Sequence, residues 1–251
     1  MQAGLGVKAA RFAIVVAVFA IWEILSRSGI VNPRLLPSAS DTLVMLGELL
    51  QRASVRKDLV VTATEVLTAF ALAVPFGALI GFLIAENRYF ADVAKPLLFF
   101  AFSIPKSIFL PMFILVFGVG FSQKVGFGFF STIFIVIMST TTAVESVKVE
   151  HLTVARSYGA TPMQTAFRVY LPSMLPVLLE ALRISMIFNL TGVILAEMYA
   201  SRDGIGHQIA TWGENFQMKQ LLAGVLMIAA IAIAFNELVR WVETRCSHWR
   251  T

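Results

Sequence analysis

Among the polar side chains that stand in mostly apolar stretches are Lys106, Asn189, Thr191 and Glu197. A buried ammonium is costly unless it faces a partner or water. Lys106 therefore either attracts an anionic solute or pairs with a carboxylate on another segment, and the ion pair is the preferred reading. Asn189 and Thr191 suit a polar path, and equally a hydrogen bond between helices. Glu197 closes its apolar run, where it could pair, gate, or meet a docked protein. Enzyme chemistry finds little to work with. There is no Gly-rich phosphate loop ending in Lys-Ser/Thr, no His-Glu-x-x-His and no Gly-x-Ser-x-Gly. His151, His207 and His248 are far apart, and Cys246 is the single cysteine. No cofactor or metal is expected in this chain.

The polar segment with most local order runs from Glu145 to Pro172. His151, Leu152, Ala155 and Tyr158 share one helical face. Gly159 can end that helix, and Thr161 can cap a second with Pro162 in its first turn. Gln164 completes a Thr-x-x-Gln capping box. Pro172 is expected to stop the second helix or to bend the start of the next apolar segment. The pattern describes a rigid helix–turn–helix whose small Ala155 and Gly159 admit another protein's surface. A well-capped connector would look the same, and spacing alone does not choose.

These residues need elements to hold them, and composition says which. Of 251 residues 58% are hydrophobic and 14% charged, with a mean hydropathy of +0.80. A soluble fold of this size could not hide so much apolar surface. Six apolar segments emerge: Phe12–Leu25, Leu59–Ala85, Val93–Phe117, Val125–Val144, Leu175–Tyr199 and Leu221–Val242. Each suits a helix of about 20 residues crossing a bilayer. The first reads as a retained helix, its rival being a cleaved signal peptide. Pro105 and Pro111 are expected to bend the third, and Gly77-x-x-x-Gly81 in the second has close-packing spacing. Ser38, Ser40 or Asp41 can cap an amphipathic helix carrying Leu43, Leu46, Leu49 and Leu50, read as lying in the membrane interface. Net charge is +5 and the pI about 9.6, which favours anionic lipid; no basic cluster points to nucleic acid. Lys and Arg are nearly balanced across the alternate loops, so the positive-inside rule decides orientation only weakly. With no repeat and no linker, residues 1–251 read as one membrane domain.

Ala155-x-x-x-Gly159, then nine residues, then Val169-Tyr170-Leu171-Pro172, resembles the EAA loop of ABC-importer permeases. Thr153 and Val154 replace that family's Glu and first Ala. Leu36-Pro37-Ser38, Ile104-Pro105-Lys106 through Gly118-Val119-Gly120, Ala181-Leu182-Arg183-Ile184, Ala196-Glu197-Met198 and Gly204-Ile205-Gly206 resemble landmarks of the nitrate/sulfonate/taurine branch. The resemblance implies an all-α polytopic protein with about six transmembrane helices and a cytoplasmic coupling loop at about 145–172, the type I importer permease fold. It assigns ATPase coupling to Ala155, Arg156, Ser157, Tyr158, Gly159, Ala160, Leu171 and Pro172. On their own chemistry Lys106, Asn189, Thr191 and Glu197 are the candidate residues of a translocation path. The partners it implies are two cytoplasmic ABC ATPase subunits carrying ATP and Mg, a second permease copy making a homodimer, a periplasmic or lipid-anchored binding protein, and membrane lipid. The location implied is the bacterial inner membrane with both termini cytoplasmic. The solute implied is a small anion, nitrate-, sulfonate- or taurine-like, or an organic acid. The alternative is a secondary transporter or channel without an ATPase, although such proteins commonly show two corresponding halves and none is visible.

Overall fold

The computed structural model describes residues 2–246, all of whose regular elements are helical. In chain order they are α1 (Gln2–Arg27), α2 (Ala39–Gln51), α3 (Ala53–Glu86), α4 (Arg88–Ser103), α5 (Leu110–Phe117), α6 (Phe121–Glu145), α7 (Val149–Ser157), α8 (Pro162–Thr165), α9 (Leu171–Tyr199), α10 (Ile205–Glu214) and α11 (Met218–Cys246). Five stretches are long and apolar enough to cross a membrane: Ala9–Arg27, Ala53–Glu86, Phe121–Glu145, Pro162–Tyr199 and Met218–Trp241. A further apolar stretch is a bent pair, a broken sixth span or a re-entrant loop. α4 and the turn-plus-helix Lys106–Phe117 meet at 77°. Pro105 supplies no N–H and holds Ile104 in an extended conformation (φ −71, ψ 127), so the helix stops there. Pro111 does not bend the span as expected; it sits in the first turn of α5, where no donor is needed. The expected cytoplasmic chain ends concern Met1 and residues 247–251, which lie outside the described residues.

α3, α6 and α9 form the centre, and small residues let them touch. A Cβ on Gly77 would lie 2.8 Å from Val136, and one on Gly81 2.6 Å from the Ile137 carbonyl. The hydroxyl of Thr141 donates to the Gly81 carbonyl at 3.2 Å. Between α6 and α9, a Cβ on Gly128 would lie 2.6 Å from Val193, and one on Gly192 2.6 Å from Ser131 Oγ. Packing of this kind replaces the hydrophobic drive that lipid removes. Large apolar side chains such as Phe12, Leu79, Phe100 and Leu115 point outward, as lipid-facing positions do.

Among the described residues, α1 is tied down at its C-terminal end. Trp22 Nε1 donates to the Pro37 carbonyl at 2.9 Å, and Ser26 Oγ to the Leu36 carbonyl at 2.7 Å. Ser38 caps α2 by accepting from the Asp41 N–H at 3.1 Å. α2 is not an isolated interfacial helix. Leu49 is fully buried among Val55, Ile205, Trp212 and Met227, while Leu43 and Leu50 stay exposed. The four leucines span an arc wide enough for its near half to join the core and its far half to face outward.

At the opposite end of the bundle, α7 and α8 make the expected hairpin. Gly159 takes φ +70, a conformation that L side chains rarely adopt. Its N–H reaches the Arg156 carbonyl at 2.9 Å, and that of Ala160 the Ala155 carbonyl at 3.0 Å, a Schellman closure. The Thr161 hydroxyl accepts from the Gln164 N–H, and the Gln164 side chain accepts from the Thr161 N–H, closing the capping box. Of the two outcomes expected at Pro172, a stop or a bend, the stop does not occur. Residues 166–170 widen into a π-turn whose last bond runs from the Leu171 N–H to the Ala166 carbonyl. That wider turn takes a ring without a donor in its stride, and Pro162–Tyr199 continues as one rod.

Candidate translocation groove and coupling hairpin

The hairpin rests on the ends of three spans. Val144, Val147 and Met174 form a small core that Leu152, Val169 and Tyr170 cover. The Tyr170 ring meets Phe82 edge-on at 5.6 Å, and Lys95 donates to Glu145 at 2.6 Å across α4 and α6. The outward side is bare. Tyr158 is 87% exposed, Met163 69% and Phe167 61%. Arg156, Ser157, Gly159 and Leu171 are exposed beside them, with Ala155, Ala160 and Pro172 half-buried. An apolar, pre-ordered surface at the end of a bundle is what a partner protein can grip.

Lys106 lies at the break in the third span, at the start of a 3₁₀ turn. Its ammonium donates to the Phe102 carbonyl at 3.3 Å and stands 4.2 Å from the Phe102 ring centre, a cation–π contact. No carboxylate among the described residues lies within ion-pair distance, so the preferred ion pair is not formed. Lys106 instead lines a groove of about 320 Å³ with Ser103, Ser107, Phe188, Thr191 and Leu195. Ser107 and Leu195 also line a wider cleft of about 800 Å³, which runs along Met198, Tyr199, Ile209 and Glu214. The fold thus brings Lys106 and Thr191 together on one open surface.

Asn189 and Glu197 are placed elsewhere. Asn189 is fully buried, and its amide donates to the Val66 carbonyl on α3 at 2.7 Å. Glu197 is also fully buried. It accepts from the Thr62 hydroxyl at 2.6 Å and from the Gly206 N–H at 2.6 Å. Around it lies a polar network that the motif reading missed. Asp58 accepts from the Gly204 N–H at 3.1 Å and from the Gln208 side chain at 2.7 Å. The Thr62 hydroxyl accepts from the Ile205 N–H at 2.9 Å. Glu65 pairs with Lys124, whose ammonium also donates to Ser201 Oγ at 3.1 Å. Gly204 takes φ +107 with its Cα against the Glu197 carboxylate, where a Cβ has no room. The network sits at the end away from the hairpin and clamps the α9–α10 turn onto α3 and α6. A signal for it was present: Asp58, Thr62 and Glu65 recur at helical spacing on one face of an apolar run.

Among the described residues no three His, Cys, Asp or Glu side chains gather to hold a metal ion. Residues 73–248 match the family described as "Binding-protein-dependent transport system inner membrane component". The chain belongs to that family. This permease is 26% identical over 234 residues to the taurine transport system permease protein of Escherichia coli (strain K12), a match covering 91% of this chain and 85% of that protein. It is 25% identical over 233 residues to a putative aliphatic sulfonates transport permease protein of Bacillus subtilis (strain 168), covering 93% and 84%. It is 26% identical over 230 residues to the formylaminopyrimidine transport permease protein of Halalkalibacterium halodurans, covering 92% and 91%. Its fold is similar to that of a chain of the MetNI methionine ABC transporter in an inward-facing conformation, with a TM-score of 0.62 at 16% identity, covering 87% of this chain and 98% of that one. This permease is therefore a multi-pass transport subunit of an ABC importer, with the type I permease fold, and ATP hydrolysis belongs to separate subunits.

Proposed function

We propose that two copies of this permease form the membrane pathway of a bacterial inner-membrane importer for a small anion, a sulfonate-, taurine- or nitrate-like solute or an organic acid. Residues 1–251 act as one membrane domain, set among membrane lipid, with the hairpin and both termini in the cytoplasm. Two ABC ATPase subunits, which hold the ATP and Mg, grip the hairpin through Ala155, Arg156, Ser157, Tyr158, Gly159 and Ala160. An extracytoplasmic binding protein delivers the solute to the opposite end. The groove that Lys106 and Thr191 line is this chain's share of the path. Asn189 and Glu197 serve it from behind, by holding α9 against α3 and the α9–α10 turn.

One observation carries the reading: the exposed hairpin is continuous with the helix that walls the groove. Pro162–Tyr199 is a single stretch of 38 residues, roughly 57 Å long at 1.5 Å per residue. It passes Leu171 and Pro172 at the hairpin, then Phe188, Thr191 and Leu195 at the groove. Closure of the ATPase pair on ATP would displace one end of this rod and re-aim the other. Such a two-state change is biased by a ligand that binds elsewhere.

The test is assembly with the cognate ATPase. Tyr158→Asp should release the ATPase during co-purification while the permease keeps its melting temperature. Undiminished co-purification from Tyr158→Asp, and from a variant with 156–160 replaced by a Gly-Ser linker, would remove the coupling role.

A further inference from the structure

We propose that the groove at the α4–α5 break is an anion-transit subsite, in which Lys106 takes the oxyanion head, sulfonate or carboxylate, of the passing solute. This rests on the importer reading above and deepens it by naming the group that meets the charge.

Lys124 and Lys106 are treated differently by the bundle. Lys124 is buried and has its acid, Glu65. Lys106 is only half-buried, has no acid in reach, and opens onto a groove. A cation left uncompensated in an apolar setting is expensive unless water or a counter-charge reaches it, and the groove is where either would arrive. Of its three N–H donors, one is directed at the Phe102 carbonyl. Two remain for a ligand. The ring faces of Phe102, Phe134 and Phe188, at 4.2, 5.9 and 6.0 Å, steady the ammonium without neutralising it.

The remaining walls suit passage rather than capture. The hydroxyls of Ser103 and Thr191 already donate to the Phe99 and Ile187 carbonyls of their own helices, each at 2.8 Å. An anion therefore finds few donors besides Lys106 and Ser107. Sites on a conduction path must hold a solute loosely enough to let it leave. The volume of about 320 Å³ is at the small end of ligand sites, which fits a solute of few heavy atoms. Phe188, Thr191 and Leu195 all belong to α9, the rod that ends at the hairpin. Movement of the hairpin would change the subsite wall, so the grip on the anion follows the nucleotide state.

The experiment uses the whole importer, permease with its ATPase and binding protein, in proteoliposomes. The probes are radiolabelled ethanesulfonate, taurine and benzoate as oxyanions, and choline as a cation, with uptake and ATP hydrolysis followed together. Lys106→Met should lower oxyanion uptake about tenfold or more, the scale of losing a hydrogen bond to a charged group. It should keep subunit assembly, and fewer anions should move per ATP hydrolysed. Lys106→Arg should stay within a few-fold of wild type. Thr191→Asp, which places a fixed carboxylate in the same groove at an exposed position, should reproduce the loss even if Lys106→Met assembles poorly. Wild-type-like oxyanion uptake in Lys106→Met or in Thr191→Asp overturns the subsite and leaves the importer reading standing. Uptake of choline but of no oxyanion by the wild type overturns the anion reading itself, and the subsite with it.

Discussion

Lys124→Met tests whether the buried Glu65–Lys124 pair holds the far end of the bundle together. The two side chains are 1% and 4% exposed. Removing the ammonium strands the Glu65 carboxylate in a setting with few other donors, close to a second buried acid, Glu197. Breaking a buried pair from one side costs about 3–5 kcal/mol. The lost bonds to Ser201 Oγ and the Asp203 carbonyl push toward the upper end. For a chain of this length 1 kcal/mol is worth roughly 2–4 °C, so melting should fall by about 6–20 °C. The double variant Glu65→Leu/Lys124→Met removes both charges, and replacing a buried pair by apolar side chains is often close to neutral. It should recover most of the loss, short of the part due to Ser201 and Asp203. The assay is thermal unfolding in nanodiscs of the wild type, both single variants and the double. A fall of less than about 2 °C in Lys124→Met, or a double variant as unstable as the two singles added together, would refute the reasoning. The first result would mean that the pair is not desolvated, the second that its members do not interact.

Three further outcomes follow from particular contacts. Gly81→Ala sets a methyl group 2.6 Å from the Ile137 backbone carbonyl and should cost about 1–3 kcal/mol through overpacking; Gly47→Ala, with nothing within 4 Å, should be neutral or slightly stabilising in the same melt. Gly159→Ala forces a Cβ into φ +70, a strain of about 1–2 kcal/mol. It should lower transport per ATP more than it lowers the melting temperature of the bundle, read by parallel uptake and unfolding. Asp41 accepts a hydrogen bond from Lys219, which holds its carboxyl below its ordinary 3.8. A carboxyl depressed in the folded state contributes above its unfolded pKa and ceases to contribute as pH falls through the folded value. Hydrogen exchange of α2 should therefore be insensitive to Lys219→Met in strong acid and sensitive to it at neutral pH; equal sensitivity at both would remove the tether.

Local rules were enough for the hairpin. Gly159, Thr161, Pro162 and Gln164 act within five or six residues of one another, so their caps can be read along the chain. At Pro172 the local rules left a stop and a bend open, and the chain widens into a π-turn over 166–170 before the helix runs on. The same reach explains the third span: Pro105 marks a break, but the 77° angle depends on what α5 packs against. For Lys106, Asn189, Thr191 and Glu197 the chain order was silent. Asn189 and Thr191 are two positions apart, and the helix sends one into the core and the other to the groove.

The sequence by itself determined that the chain lives in lipid, where its apolar segments run, and where the ordered loop lies. Those properties follow from hydropathy, helical period and capping, which depend on neighbours in the chain. Only the tertiary structure decided which lysine has an acid and which is open. It alone joined Asp58, Thr62, Glu65, Lys124 and Glu197 into one clamp and ran the hairpin and the groove wall into a single rod. A charge pair or a shared cavity unites residues that lie tens of positions apart, and its energy depends on distance and burial in space rather than on separation along the chain.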